Sequence, residues 1–432
     1  MTTDDVSTRA AAAITRYGAR LHQAAGSEQH VVSALGAWLV LALAGLADDG
    51  TDTAARREVE TALGMPLADA GRVAADLLDE PHPAVAAAVG LWWREDVATD
   101  RLRDYEARLP DVATRGALPG QRQLDTWARE HTLGLIDRFP VDVTPDVLLV
   151  LASALATRVR WLRAFEVVPG SELAAPGRGD DFGARVARAL RSVEGHDVRL
   201  VRTSAAGLVG AHVAASADGL AVVSVLGPTN VDRSSVLAAA DEVAARLDGA
   251  RIDDPVSLFD VPAGASELGE IAEDTVPAKG RFGRVEEGVA VLPAWQASTQ
   301  LDLLRGPPRE AFTAAGRLLH ALLPGGPLNL QAQQVAVARY TREGFEAAAV
   351  TAVAVRLAFT MVPAEIPRRR LTLRFNRPYA AVAVAVRPPV DTAPDDRARP
   401  SSAADRIAPS WFGLPVFSAW VARPAQTPPT EE

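Results

Sequence analysis

Gly344-Phe-Glu-Ala-Ala-Ala-Val-Thr-Ala-Val-Ala-Val355 is the stretch on which the reading of this chain turns. Runs of alanine ordinarily favour helix. Here a glycine precedes the run, and Val350, Thr351, Val353 and Val355 favour a pleated strand. Side chains this small also suit a segment that has to slide between two neighbouring strands without clashing. On composition alone the stretch reads equally as an ordinary amphipathic helix or a core strand. Val335–Thr341 before it has strand-like spacing, and behind it Arg356 to Pro363 leads into a Pro/Arg segment ending at Arg370.

The order of residues goes further than composition. Glu343-Gly344 is followed by Glu346-Ala347-Ala348-Ala349-Val350-Thr351-Ala352, a glutamate, an alanine run and a threonine in that order. Upstream stand Ser153-Ala-Leu-Ala-Thr-Arg-Val-Arg-Trp161 and Phe165-Glu166. Downstream stand Phe375-Asn-Arg-Pro378-Tyr379 and Phe412-Gly-Leu-Pro415-Val-Phe-Ser-Ala-Trp-Val421-Ala-Arg-Pro424. In order and spacing, over almost the whole chain, these four segments resemble the serpin family: its hinge, the third strand of its large sheet with the tryptophan at the upper end, its Phe-x-x-Pro-Phe segment, and its closing strand. The resemblance implies an α+β serpin fold, with a large, mostly antiparallel central sheet, smaller sheets, about eight or nine helices and an exposed reactive loop.

Bulk properties exclude other classes. The 432 residues are 48% hydrophobic, enough for a sizeable core. The net charge of −9 argues against a nucleic-acid surface, which is normally basic. The absence of cysteine removes disulfides, thiol nucleophiles and Cys–metal sites. The seven histidines show no metal-ligand spacing, so no metal or cofactor is expected. There is no Gly-x-Ser-x-Gly elbow, His-Glu-x-x-His or phosphate-binding glycine loop, so no catalytic residues are assigned and the chain is not read as an enzyme. The start Met-Thr-Thr-Asp-Asp is acidic and lacks an apolar run behind it, which points to a cytoplasmic protein. An extracellular location, common in the family, is the alternative. Val31–Ala47 is uncharged, but Ser33, Gly36 and Gly45 interrupt it. It reads as a buried helix, and no membrane association is expected.

Taken in order, helices are expected over Ser7–Ala25, Ser33–Leu46, Thr53–Leu63 (capped by Thr53), Ala68–Asp79, Arg101–Leu109, Leu124–Arg138 and Ser234–Leu247 (capped by Ser234 or Ser235). Val85–Trp93 reads as a strand, Val147–Val159 as one buried on both faces, and Val198–Val225 as two or three more. Val289–Leu304 reads as a strand running into a helix, and Leu371–Phe375 and Tyr379–Val386 as strands. Residues 387–409 read as a loop insertion and residues 426–432 as a polar tail. No domain boundary is evident, so residues 1–432 are taken as one domain, a monomer.

What the resemblance implies about function is a suicide inhibitor of serine, or cysteine, endopeptidases. Residues of about 342–370 would form the hinge and bait loop. The hinge would comprise Gly344, Phe345, Glu346, Ala347, Ala348, Ala349, Val350 and Thr351. The family's loop length puts the attacked bond at Ala358–Phe359, which implies a subtilisin- or elastase-like serine protease as partner; Phe359–Thr360 offers a chymotrypsin-like bond and Arg356–Leu357 a trypsin-like one. On insertion Phe345, Ala347, Ala349, Thr351, Val353 and Val355 would point inward. Glu346, Ala348, Val350, Ala352, Ala354 and Arg356 would point outward. Trp161 would mark the top of the sheet, and Ser33, Gly36, Ser153 and Gln334 would occupy the positions of a polar cluster beneath it. The chain departs from the family in places. Phe345 stands where the inhibitors carry Thr or Ser, Arg342 where a glutamate is usual, and only Ser33 of the polar cluster is kept. The segment 358–378 is long, and its Arg368-Arg-Arg370 reads as a solvated linker. A non-inhibitory binding or scaffold protein of the same fold is the alternative.

Overall fold

The computed structural model describes residues 3–157, 159–174, 186–278, 283–325, 330–345, 365–387 and 407–424. These form helices α1 (Thr3–Ala25), α2 (Ala34–Gly45), α3 (Thr53–Leu63), α4 (Leu67–Asp79), α5 (Asp100–Glu106), α6 (Gln121–His131), α7 (Arg233–Ala244) and α8 (Arg309–His320). The first strands are β1 (His30–Val32), β2 (Val85–Trp93), β3 (Thr114–Ala117), β4 (Leu149–Thr157), β5 (Val159–Arg160), β6 (Glu166–Pro169) and β7 (Arg188–Arg191). They are followed by β8 (Asp197–Thr203), β9 (Gly207–Ala215), β10 (Leu220–Leu226), β11 (Leu247–Asp248), β12 (Arg251–Ile252), β13 (Gly264–Ala265) and β14 (Gly269–Pro277). The last are β15 (Val285–Leu292), β16 (Trp295–Asp302), β17 (Gln333–Tyr340), β18 (Gly344–Phe345), β19 (Glu365–Arg374), β20 (Tyr379–Ala385) and β21 (Pro415–Val421). The architecture is α+β.

A six-stranded sheet in the order β1-β21-β20-β10-β9-β8 divides the core. Every residue of β20 is buried, and its alternation explains the division. Ala380, Val382 and Val384 pack under α7, while Ala381, Ala383 and Ala385 face the main core. Alanines on that second face let β16 and β17 approach closely through Ala297, Ala336 and Ala338. α2 lies in the middle of the main core, and all its residues but Val40 are buried. That is why its sequence is apolar all round. No helix among the described residues is long and apolar enough to cross a membrane.

Several expected boundaries shift for identifiable reasons. α3 is capped by Asp52 rather than Thr53, with the Asp52 carboxylate accepting the Ala55 N–H at 2.8 Å. α7 is capped by Asp232 rather than a serine. Bonds from the Ser234 and Ser235 hydroxyls and backbone hold the Asp232 carboxyl down to about 2. α6 ends at His131, not Arg138, because Leu133 and Gly134 turn left-handed at φ 55° and 76° and the Gly134 N–H closes on the Arg129 carbonyl. β4 is buried only in part along residues 151–153. Residues 289–304 form two strands with a Pro293-Ala294 joint, not a strand and a helix. α8, whose Ala311, Phe312, Ala315 and Leu318 make a buried stripe, is a helix the sequence reading passed over. Arg368-Arg-Arg370 is no solvated linker: it lies inside β19, in the sheet β13-β14-β19-β15-β7-β6.

His82 ties the α4–β2 connection to the β9–β10 turn. Its Nε2–H donates to the Gly219 carbonyl at 3.2 Å, and its Nδ1 accepts the Ala84 N–H at 3.1 Å. The ring is therefore neutral, and burial lowers its pKa to about 4. Between pH 6.5 and about 4 the unfolded chain takes up a proton there and the folded chain does not. Stability is therefore expected to fall as pH drops through this window, by up to about 3 kcal/mol from His82. Replacing His82→Gln should flatten that part of a denaturant-midpoint-versus-pH curve. An unchanged slope would contradict the assignment.

Candidate functional site

The central sheet is open along its middle. β3-β2-β4 forms one half and β16-β17 the other, and among the described residues no ladder joins β4 to β17. The two strands run in the same direction, since both finish at one end of the molecule, where Trp161 meets Tyr340 with ring centroids 5.1 Å apart. Between them lies a cavity of about 210 Å³, lined by residues 149–155 and 331–335. Trp127 and Ala128 of α6, with Ile136 after it, cover one side, while Ser33, Gly36 and Ala37 at the start of α2 line the other. The facing edges of β4 and β17 thus carry backbone donors and acceptors with no neighbouring strand to pair with.

At mid-height the two edges are pinned to the same turn. Ser33 caps α2, its Oγ accepting the Gly36 N–H at 3.1 Å and donating to the Val416 carbonyl at 3.0 Å. Ser153 of β4 donates to the Gly36 carbonyl at 2.9 Å. Gln334 of β17 grips Ser33 from the other edge. Its Nε2 donates to the Ser33 carbonyl at 2.8 Å, and its Oε1 accepts the Ser33 N–H at 3.2 Å. The four positions singled out from the sequence therefore sit together. They are held through backbone groups of residues 33–36, with Gly36 contributing only its backbone.

The upper end is closed. β18 pairs antiparallel with β5, Gly344 opposite Arg160 and Phe345 opposite Val159. A Cβ on Gly344 would lie 2.2 Å from the Val159 carbonyl oxygen, so glycine is needed here for close strand approach. The turn into β18 is held by Thr341, whose Oγ1 donates to the Gly344 carbonyl at 2.8 Å. Trp161 spans the joint, its N–H donating to the Glu343 carbonyl at 3.0 Å and its Nε1 to the Thr341 carbonyl at 3.2 Å. Arg342, in place of the usual glutamate, reaches across to the Phe165 carbonyl at 3.3 Å. Beneath lie the Phe165 ring and two histidines, with His196 Nδ1 2.9 Å from His212 Nε2. Burial pushes both imidazoles down and keeps them neutral. The sequence reading counted both among seven scattered histidines and gave them no role. They stand 16 positions apart, and only the β8–β9 register brings them together.

Of the expected hinge, Gly344 and Phe345 lie in the described part. Glu346, Ala347, Ala348, Ala349, Val350 and Thr351, and the candidate bond Ala358–Phe359, lie outside the described residues, as does most of the 387–409 insertion and the 426–432 tail.

The overall fold is shared with solved structures. A native-state thermophilic serpin, tengpin, aligns over 98% of this chain and 95% of its own at a TM-score of 0.60 and 14% identity. The chain has the serpin fold. Human kallistatin matches at 0.61 and 15% identity, over 98% of this chain and all of the other. Human thyroxine-binding globulin complexed with its hormone matches at 0.60 and 13%, with the same coverage. No family model matches the sequence, and no curated protein does. The serpin likeness is thus carried by backbone geometry, with few identities to support it.

The close approach at Gly344 gives a direct test. Gly344→Ala should break the β18–β5 pairing and cost about 1–3 kcal/mol in chemical denaturation. It should also speed amide exchange at Val159 and Phe345. A variant as stable and as protected as the parent would show that the pairing does not constrain this position.

Proposed function

We propose that the protein is a suicide inhibitor of serine endopeptidases that traps its target by filling the gap between β4 and β17 with its own cleaved loop. The observation that carries this is the register at the upper end. Continued downward, the Gly344–Arg160 pairing sets Ala347 opposite Thr157, Ala349 opposite Leu155, Thr351 opposite Ser153 and Val355 opposite Leu149. Directly opposed residues share a face. Leu149, Leu151 and Leu155 of β4 pack on the main core, and Ser153 bonds to α2, so the odd positions 345–355 fall on the core side. Val150 and Ala154 face the cluster beneath α6, and the even positions fall there. The small residues match the narrow space. The one polar inward residue, Thr351, arrives beside the polar turn at Ser33. Arg356 passes the end of β4 and stays outside.

The chemistry requires only that the protease accept the bait. Its serine Oγ attacks the Ala358 carbonyl, the Phe359 amine leaves protonated, and an ester joins Ala358 to the enzyme. Insertion of residues 346–355 carries the ester some 34 Å at ~3.4 Å per residue. In doing so it satisfies two strand edges at once. Distortion of the dragged protease then blocks hydrolysis. Phe345, already paired opposite Val159 at the mouth of the gap, is the brake in this scheme: a bulky residue at the entry slows the passage of the residues that follow it. That ring, together with a polar turn built on backbone groups, favours the second reading, a non-inhibitory protein that binds a partner. Thyroxine-binding globulin, a structural neighbour of this fold, has been solved in complex with thyroxine.

Mixing the protein with subtilisin-, elastase-, chymotrypsin- and trypsin-like enzymes should give a band of summed mass on a denaturing gel. Loop-cleaved protein should melt roughly 10 °C or more above intact protein. Clean cleavage with neither band nor stabilisation would sink the inhibitor reading and leave the second. Phe345→Thr should speed complex formation several-fold at an unchanged cleavage site. An unchanged rate would remove the ring as the brake.

A further inference from the structure

The face of the six-stranded sheet that looks onto β16 and β17 carries buried polar atoms with no part in the scheme above. His212 of β9 and Ser224 of β10 stand directly opposite each other. Ala381 of β20 flanks Ser224 on its other side. Burial pushes the phenol of Tyr340 far up, Tyr379 adds to this and Ser224 opposes it, which puts the three hydroxyls in one neighbourhood. His212, Ser224, Tyr340 and Tyr379 are fully buried. His212 Nδ1, Ser224 Oγ and both tyrosine hydroxyls have no hydrogen-bond partner among the described residues. Buried polar atoms find a partner in protein or in ordered water.

Donor and acceptor roles are fixed from the outer end of the histidine pair. His196 Nε2 is 2.8 Å from the Arg163 carbonyl, which can only accept, so this nitrogen carries the hydrogen. Neutral His196 therefore accepts at Nδ1, and His212 donates to it from Nε2 across 2.9 Å. That leaves His212 Nδ1 a bare acceptor in the core. Protonated His196 would donate from both nitrogens. His212 would then accept at Nε2 and carry its own hydrogen on Nδ1. One proton taken up from solvent thus reverses the His212 tautomer without moving either ring. Only a group that both donates and accepts can serve Nδ1 in the two states, and hydroxyls and water are such groups.

The charged residues on the segments packed around the pair are few. Arg163 and Glu194 are exposed. Asp197 is held by Arg199 at 2.8 Å. Arg342 bonds the Phe165 carbonyl and has Glu343 at 3.6 Å. Phe165 offers only its ring, 4.5 Å from that of His196. Among the described residues no carboxylate bonds either imidazole, so the inward hydroxyls are what can answer the added proton.

We propose that His212 Nδ1, Ser224 Oγ and Tyr340 Oη hold one ordered water, and that this water completes a reversible proton relay from His196 to the hydroxyls of the core. A buried water needs a few polar partners and roughly 10–15 Å³. Three partners meet here, and a cavity of about 10 Å³ opens beside them, against Val222, Trp295, Ala338 and Ala381. In the neutral state the water donates to Nδ1. In the protonated state it accepts from Nδ1–H, a charge-assisted bond and the stronger of the two. The upper joint, where the Tyr340 ring meets those of Trp161 and Phe165, then gains a proton while the pair keeps its bonds. None of this depends on insertion of the loop.

The test is a histidine titration of the full chain, isotope-labelled in histidine and read by long-range proton–nitrogen spectra. At neutral pH both rings should show the Nε2–H tautomer. Burial holds the His196 transition below the ordinary 6.5. As His196 gains its second proton, His212 should change to Nδ1–H in the same step. In Ser224→Ala and in Tyr340→Phe the step should move about one unit lower in pH, because the protonated state loses its stronger bond. His212 that keeps Nε2–H while His196 titrates overturns the relay, as does an unshifted midpoint in both variants. If one variant fails to fold, the other and the parent's tautomer change decide. A high-resolution crystal structure of the parent decides the water. Density within hydrogen-bond distance of His212 Nδ1 is expected, and Ser224 Oγ bonded directly to Nδ1 in its place overturns that assignment.

Discussion

Two parallel strand edges that face each other without pairing are the constraint on which this structure depends. Backbone N–H and C=O groups need partners, and a sheet interior is where they normally find them. β4 and β17 could in principle close on one another. They are kept apart by what lies around them: Ser153 and Gln334 each hold the turn at Ser33, and β5 and β18 already occupy the upper end. The gap is thus built from both ends toward the middle. Its lining is apolar beneath α6 and polar at mid-height, where Ser33, Ser153 and Gln334 meet.

The same logic explains why the strongest polar contacts lie where they do. Around the upper end, Trp161, Thr341 and Arg342 use backbone carbonyls as acceptors, which fixes the turn into β18 whatever follows it. On the far side, β19 is held by arginines whose partners sit directly across the strand.

Much of this was legible in the sequence, and the parts that were not share a cause. Gly344 and the tryptophan at 161 marked the upper joint, because a glycine at a close strand approach and a buried ring leave local signatures, while the alanine run lies outside the described residues. Ser33 was singled out only through the family's polar cluster, and its role as the cap of α2 emerged from the structure. The arginine triplet misled, because three charges in a row read as solvated unless the acidic strands 269–277 and 285–292 are known to flank them. Those partners lie about 80 to 100 positions away. The His196–His212 pair was invisible for the same reason. Asp52 and Asp232 were passed over as caps for hydroxyl residues next to them, a one- to three-residue choice that local pattern does not decide. α8 had a plain apolar stripe and was simply missed.

The most direct measurement of the central claim is site-resolved amide exchange across β4 and β17 before and after the segment 356–364 is cut. The account expects the edge amides of residues 149–155 and 333–340 to become strongly protected on cutting, together with those of 346–355. Exchange that stays the same at both edges after a clean cut would contradict it.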